Sequence, residues 1–244
     1  MDNSSEITNS IAAALIDKVP HKCKYSEYGC QVQDLLTEVM KHEEKCPDRT
    51  VTCPYCKEKP QLRKYHNHAV ENCSVYQAQR PSTTTPLSYG FLKWNGINRG
   101  KLEEFDLTED QSWFSCYTQL HKKFYLLESY VPAHKCFTFV VYMAENKEDV
   151  GDYSVQLTIP ASKTRENLQT IYRFPVIGIE EFPKSNDKFM FNNQKCCHIP
   201  YTMMRNFFKI KDIGENNNHT WEVTYCFKLE ITKVEPIDSD KDSE

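Results

Sequence analysis

The sequence lacks any apolar run near the roughly 20 residues that span a bilayer as a helix, so no transmembrane helix is expected. The apolar stretch near the start, Ile11 to Ile16 within SIAAALIDK, is too short and lacks the basic lead of a signal peptide. Without an entry signal the expected compartment is a reducing one, the cytoplasm with the nucleus also open, where disulfides are rare. An excess of one charge is missing too: 30 Lys and Arg stand against 34 Asp and Glu, for a net charge of −4. That balance supplies no polybasic strip for nucleic acid or for a membrane surface. No heptad pattern follows Cys73, which excludes a coiled-coil trimerisation stalk at that point. No cysteine precedes Cys23.

What the sequence does have is cysteine in a repeated phrase. Six of its 11 cysteines lie between Cys23 and Cys73. The first copy runs Cys23-x6-Cys30-x11-His42-x3-Cys46, and the second Cys53-x2-Cys56-x11-His68-x4-Cys73. Three thiolates and one imidazole per copy form a four-coordinate zinc set, and the shared x11 step is hard to obtain by chance. Two histidines compete in the second copy, His66 and His68. The step from Cys30 to His42 equals the step from Cys56 to His68, which selects His68 and leaves His66 on the surface or behind the ligands. With four protein ligands per ion, neither site keeps an open position for water, so both zinc ions are expected to be structural.

The remaining cysteines, Cys116, Cys136, Cys196, Cys197 and Cys226, show no repeated spacing, and most sit in apolar, β-rich runs where a free thiol behaves as a small buried hydrophobe. His121, His134, Glu103 and Glu104 form no spacing that calls for catalysis; no catalytic residue and no organic cofactor are expected. The Asn218-His219-Thr220 sequon is expected to be silent in a reducing compartment.

In chain order, residues 1–20 read as a lead-in helix, with apolar Ile7, Ile11, Ala14, Leu15 and Val19 near helical spacing and Pro20 ending it. Residues 21–76 hold the tandem finger. In the first copy a turn containing Gly29 feeds a helix through Val32, Leu35, Leu36, Val39 and Met40 to His42 and Cys46, and Pro47 stops it. Residues 77–88 form a Pro/Ser/Thr linker. From 89 to 234 the texture turns to short aromatic and β-branched runs. Strands are expected at Gly90–Trp94, Trp113–Leu120, Phe124–Tyr130, Phe137–Met143, Tyr153–Ile159, Thr170–Ile177, Lys188–Phe191 and Trp221–Val234, with a helical piece at Tyr201–Phe208. That series points to a mainly β chain whose larger domain is an antiparallel β-sandwich. Residues 235–244 read as a disordered acidic tail.

These residues resemble a known family. Lys18 to Cys73 is similar to the paired zinc finger of seven-in-absentia (SIAH-type) proteins, with CKYSEYGC matching the first knuckle and HEEKC its closing ligands. The CPYC knuckle and closing Cys73 of the second finger are closer to the fingers of TRAF proteins. FYLLES, CFTFVVYM, YSVQLTI, DKFMFNN, YTMMRNFF and WEVTYCFKLEI follow the strand order of the SIAH substrate-binding domain, a TRAF-like sandwich. The likeness covers about residues 10–234.

The resemblance implies an E3 ubiquitin ligase family in which an N-terminal RING recruits the conjugating enzyme and the sandwich holds the substrate. With no cysteine before Cys23, these residues build no cross-braced RING. The expectation is therefore a SIAH-type substrate receptor or adaptor in ubiquitin-dependent proteasomal degradation, without intrinsic catalysis. Its partners would be protein substrates or adaptor peptides on the β-sandwich. A RING-containing ligase, a conjugating enzyme or a second copy of the chain stand as further candidates. Two alternatives remain open: a TRAF-like signalling scaffold that binds receptor peptides, and a RING-truncated form of an active ligase.

Overall fold

The computed structural model describes residues 18–73, 76–77, 88–95, 111–150, 153–159, 169–182, 195–212 and 220–234. Most of the expected lead-in helix, the linker over 78–87, Glu103 and Glu104, the Lys188–Phe191 strand, most of the sequon and the tail over 235–244 lie outside them. The described chain is mainly β, and it divides into two compact units, Met1–Ala69 and Val70–Glu244.

In the first unit, Lys18–Pro20 is a turn and not helix. Two short strands follow, β1 (His21–Lys22) and β2 (Gln33–Asp34), paired antiparallel around the first knuckle. The loop between them tightens through a 3-10 turn at Ser26–Tyr28 and reverses at Gly29, whose φ of 105° is a left-handed conformation that glycine adopts without strain. Helix α1 (Leu36–Lys45) then runs to Cys46, and Pro47 forbids its continuation. Of the apolar residues read along this stretch, Val39 is buried, whereas Leu35 and Met40 are exposed. The second copy passes through a 3-10 turn at Leu62–Lys64 into α2 (Tyr65–Asn72).

The segment joining the copies is fixed by polar contacts. The Leu62 amide donates to the Arg49 carbonyl at 2.8 Å, and the Arg63 amide to that of Pro47 at 3.0 Å. Buried Asp48 accepts from Arg63 Nε at 2.7 Å and from Gln61 Nε2 at 3.4 Å. Arg49, also buried, donates from Nη1 to the Cys46 carbonyl at 3.2 Å. Gln61 and Arg63 both reach back to the Tyr28 carbonyl in the first knuckle. Asp48 keeps its charge at this depth because Arg63 pairs with it, and the Arg49 guanidinium is hydrogen-bonded. These contacts brace the two knuckles against each other within the first unit.

The second unit is built from two sheets. In the first, β7 (Cys136–Met143), β6 (Lys122–Val131) and β5 (Gln111–Gln119) form an antiparallel centre; β3 (Tyr76–Gln77) adds to β5, and β10 (Ile177–Gly178) and β11 (Cys197–Pro200) add to β7. In the second, the long β13 (Thr220–Lys233) pairs with β4 (Ser88–Asn95), β12 (Lys209–Asp212) and β8 (Tyr153–Ile159), and β8 pairs with β9 (Thr170–Pro175). Alternation decides which face of each strand goes inside. Phe137, Phe139, Val141 and Met143 from β7 join Phe124, Leu126 and Tyr130 from β6. They meet Val155, Leu157 and Ile159 from β8 and Tyr225, Phe227, Leu229 and Ile231 from β13 in one buried cluster. Across it the Tyr225 hydroxyl donates to Glu128 Oε2 at 2.9 Å, so this buried carboxylate is hydrogen-bonded to the opposite sheet. Burial, with Glu128 beside it, holds the Tyr225 phenol well above its usual range.

Two features depart from a wholly antiparallel reading. β10 runs parallel to β7, and β3 parallel to β5, each over two residues. The stretch read as one strand over Thr170–Ile177 divides at Val176: β9 belongs to the second sheet and β10 to the first. Pro175 has no N–H to extend the ladder, and the Val176 amide turns to the Tyr153 carbonyl at 3.0 Å. Because β8 and β9 lie in the other sheet, they serve as the crossover that a parallel return requires. Tyr201–Phe208 is an α-helical turn at Tyr201–Met204 followed by a 3-10 turn at Arg205–Phe207.

Candidate metal centres

Each copy of the repeated phrase folds its four ligand side chains together. Cys23, Cys30, His42 and Cys46 form one group and Cys53, Cys56, His68 and Cys73 the other, with the ligand atoms of each group within 4.8 Å of one another. The imidazole of the second group is His68; His66 lies outside it, partly exposed. One Sγ and one Nε2 form an edge of each group, Cys30 with His42 at 3.2 Å and Cys56 with His68 at 3.2 Å. Three soft thiols and one imidazole at these separations suit a tetrahedral metal ion. The groups could therefore hold two metal ions.

Local structure explains the first group. The Cys23 amide donates to the Val32 carbonyl at 3.0 Å, which closes the ribbon at the knuckle's base, and the Tyr25 amide donates to Cys23 Sγ at 3.4 Å. An amide aimed at sulfur favours the thiolate, the form that binds metal. His42 stands in the last turn of α1 and Cys46 directly after it, so one helix end delivers both. The neighbouring Glu43 ties that helix to the knuckle by accepting from the Lys24 amide at 2.8 Å and from Lys24 Nζ at 3.1 Å. The same contacts, led by the amide, hold the Glu43 carboxyl below its usual range. Burial, with the neighbouring thiols adding to it, pushes Cys46 up to about 12, and burial also raises Cys23. In a metal-free chain these thiols keep their protons, and a bound cation supplies the charge that makes the thiolates stable.

The second group is built on a tighter turn. The Cys53 amide donates to the Glu58 carbonyl at 2.8 Å, and the Lys57 amide to that of Cys53 at 3.0 Å. Lys57 takes a left-handed φ of 69° to close this turn, and its Nζ donates to the Pro54 carbonyl. Burial lowers the Lys57 ammonium, while the thiols of Cys53 and Cys56 act the other way. Fully buried Tyr65 packs its ring 5.9 Å from that of His68 and places its hydroxyl 3.5 Å from Cys53 Sγ. Glu58 Oε2 lies 3.4 Å from His68 Nδ1. A carboxylate on Nδ1 fixes the tautomer whose Nε2 faces the three sulfurs.

Glu58, Tyr65 and the Asp48–Arg49–Gln61–Arg63 brace are the residues that ligand spacing does not reveal. Sequence offers one signal for them, charged and amide side chains crowded into a short segment between ligands. Of the histidines set aside, His121 shares with Leu120 the two-residue turn between β5 and β6, and His134 sits in a 3-10 turn. Cys116, Cys136, Cys196 and Cys197 are all buried thiols. No protein-family model matches the chain, and no curated protein sequence matches it. Among the described residues, no helix is long and apolar enough to cross a membrane.

Proposed function

We propose that this chain is a zinc-stabilised protein-interaction module of SIAH type, serving as substrate receptor or adaptor in ubiquitin-dependent degradation. The observation that carries the reading is the closure of both Cys3His groups. Each gathers four protein ligands, so the ions they would hold, zinc by donor set, have structural and not catalytic work to do. A braced finger body and a two-sheet unit in one chain suit the holding of other proteins. The finer reading of the two sheets is a TRAF-like sandwich. Its binding mode would be strand addition, in which main-chain hydrogen bonds give affinity and side-chain pockets give selectivity. β9 suits that mode: among the described residues it pairs with β8 on one edge only, and Ile171 on it is exposed.

The test is to incubate the zinc-loaded chain with ubiquitin, activating enzyme and conjugating enzymes, with and without a RING ligase. A receptor shows no autoubiquitination alone and directs ubiquitin to bound protein when the RING ligase is added. Robust autoubiquitination by this chain alone overturns the receptor reading in favour of an active ligase. Sedimentation separates the scaffold alternative, for which a trimer is expected, from a SIAH-type dimer.

A further inference from the structure

A short Sγ–Nε2 contact like the one in each metal group also occurs in the sheet unit. Cys196 Sγ lies 3.1 Å from His198 Nε2, against 3.2 Å for Cys30 with His42 and 3.2 Å for Cys56 with His68. The third pair also has the support that orients a ligating histidine. Thr138 Oγ1 stands 3.2 Å from His198 Nδ1, the place that Glu58 takes at His68. Strand register produces this contact, since His198 of β11 sits opposite Thr138 of β7. Cys196, two residues before His198, reaches the same side of the ladder. The segment is anchored just ahead of the cysteine, where Lys195 pairs with Glu181 and Glu181 Oε1 accepts the Gly178 amide at 3.0 Å. Thr138 is fully buried, Cys196 is buried, and His198 is half-buried.

We propose that Cys196 and His198 form a third metal site, open where the finger sites are closed, which takes a zinc-like divalent cation through Sγ and Nε2 with His198 oriented by Thr138. In the tautomer that donates Nδ1–H to Thr138, Nε2 carries the lone pair a metal needs. Burial holds the His198 imidazole below its usual range, so the neutral ligand form prevails near neutral pH. The thiol is the costlier ligand, because burial raises Cys196 to about 11 and its proton must leave as the cation enters. Two protein ligands leave two tetrahedral positions for water or for a donor group on a bound partner. Structural zinc sites do not offer that vacancy. The site is therefore weaker than the finger sites and exchangeable.

Cobalt titration of the full chain tests this, because thiolate-to-cobalt absorption reports sulfur ligands and its intensity follows their number. The first two equivalents fill the finger sites with the strong absorption of three-thiolate centres. A third, weaker equivalent is expected, with about one thiolate's absorption, lost in Cys196→Ser and His198→Ala while the first two remain. Thr138→Val is expected to weaken the third equivalent about 10–100-fold, as loss of a residue behind a metal ligand does. Cys116→Ser, in the same sheet, is expected to leave all three unchanged. Saturation of the unaltered chain at two equivalents overturns the site, and that result does not depend on how any variant folds. A third equivalent that persists in both Cys196→Ser and His198→Ala overturns it equally.

Discussion

Around the first metal group the buried apolar cluster consists of Cys23, Cys30, Cys46 and Val39, with Tyr25 and Val32 leaning on it. Three of its four buried members are the ligands themselves. In the sheet unit the corresponding cluster holds 22 buried residues among those described, contributed by both sheets. Burying a large apolar side chain contributes about 1.5–3 kcal/mol, so the sheet cluster gains tens of kcal/mol against chain entropy. The finger cluster gains a few. The fingers thus depend on coordination and the sheets on apolar packing, and the two units should answer differently to the same insult.

Metal removal should separate them most. Structural zinc contributes on the order of 10 kcal/mol to the folding of a small finger. A strong chelator is therefore expected to unfold the region up to Cys73 while the sheet unit keeps its structure. Amide NMR resolves the two outcomes: finger resonances collapse to random-coil positions and those of β6, β7 and β13 stay dispersed. If the sheet signals collapse together with them, the contrast between the units fails.

The converse experiment attacks the packing. Phe139 is fully buried in β7, with its ring 5.5 Å from that of Phe227 on the opposite sheet. Phe139→Ala should cost about 3–5 kcal/mol, the transfer loss plus the cavity left behind. Denaturant melts followed by sheet signals check the cost, and metal analysis should still return two tightly held ions per chain.

A smaller effect tests how far the metal groups rely on residues behind their ligands. Glu58→Ala removes the carboxylate at His68 Nδ1 and should lower metal affinity at the second group by about tenfold, near the bottom of the range for such partners. Glu58 is largely solvent-exposed, which weakens its hold. Competition against a chromophoric chelator measures the change, and the first group should keep its affinity.

The same contrast explains what could be read from residues alone. Coordination leaves a spacing, so the eight positions of the two groups could be named from the repeat. Long strands leave an alternation, and Tyr153–Ile159 showed it clearly. Short strands leave neither. Cys197–Pro200 and Lys209–Asp212 are four residues each, and Ile177–Gly178 is two; their pairing is decided by residues far away in sequence. The switch of sheets at Val176 was hidden because apolar residues continue on both sides of Pro175. Cys196 read as a buried hydrophobe because the Thr138 that meets its neighbour His198 comes from another strand, placed there by register that no local pattern encodes. The brace at Asp48 was hidden for a related reason, since buried charge is favourable only when partners converge in three dimensions.

The smallest predicted effect lies at a turn and bears on local backbone strain in the packed unit. β5 and β6 are joined through Leu120 and His121, both with left-handed φ, 52° and 59°. Positive φ at both central residues is the two-residue hairpin turn whose twist matches its strands, and Asn-Gly is its preferred sequence. Leu and His each carry a Cβ that crowds the backbone there, at roughly 1–2 kcal/mol per residue. Replacing Leu120-His121 by Asn-Gly relieves this, while the added glycine raises the freedom of the unfolded chain and returns part of the gain. The net expectation is a stabilisation of about 0.5–1 kcal/mol, seen as a higher denaturation midpoint for the sheet signals with an unchanged slope. Leu120 is half-exposed, so little packing is lost with it. Finger stability and metal affinity should not move. A shift in the finger transition of the same size would show that the two units unfold as one, and the division between coordination and packing would then describe their construction but not their cooperativity.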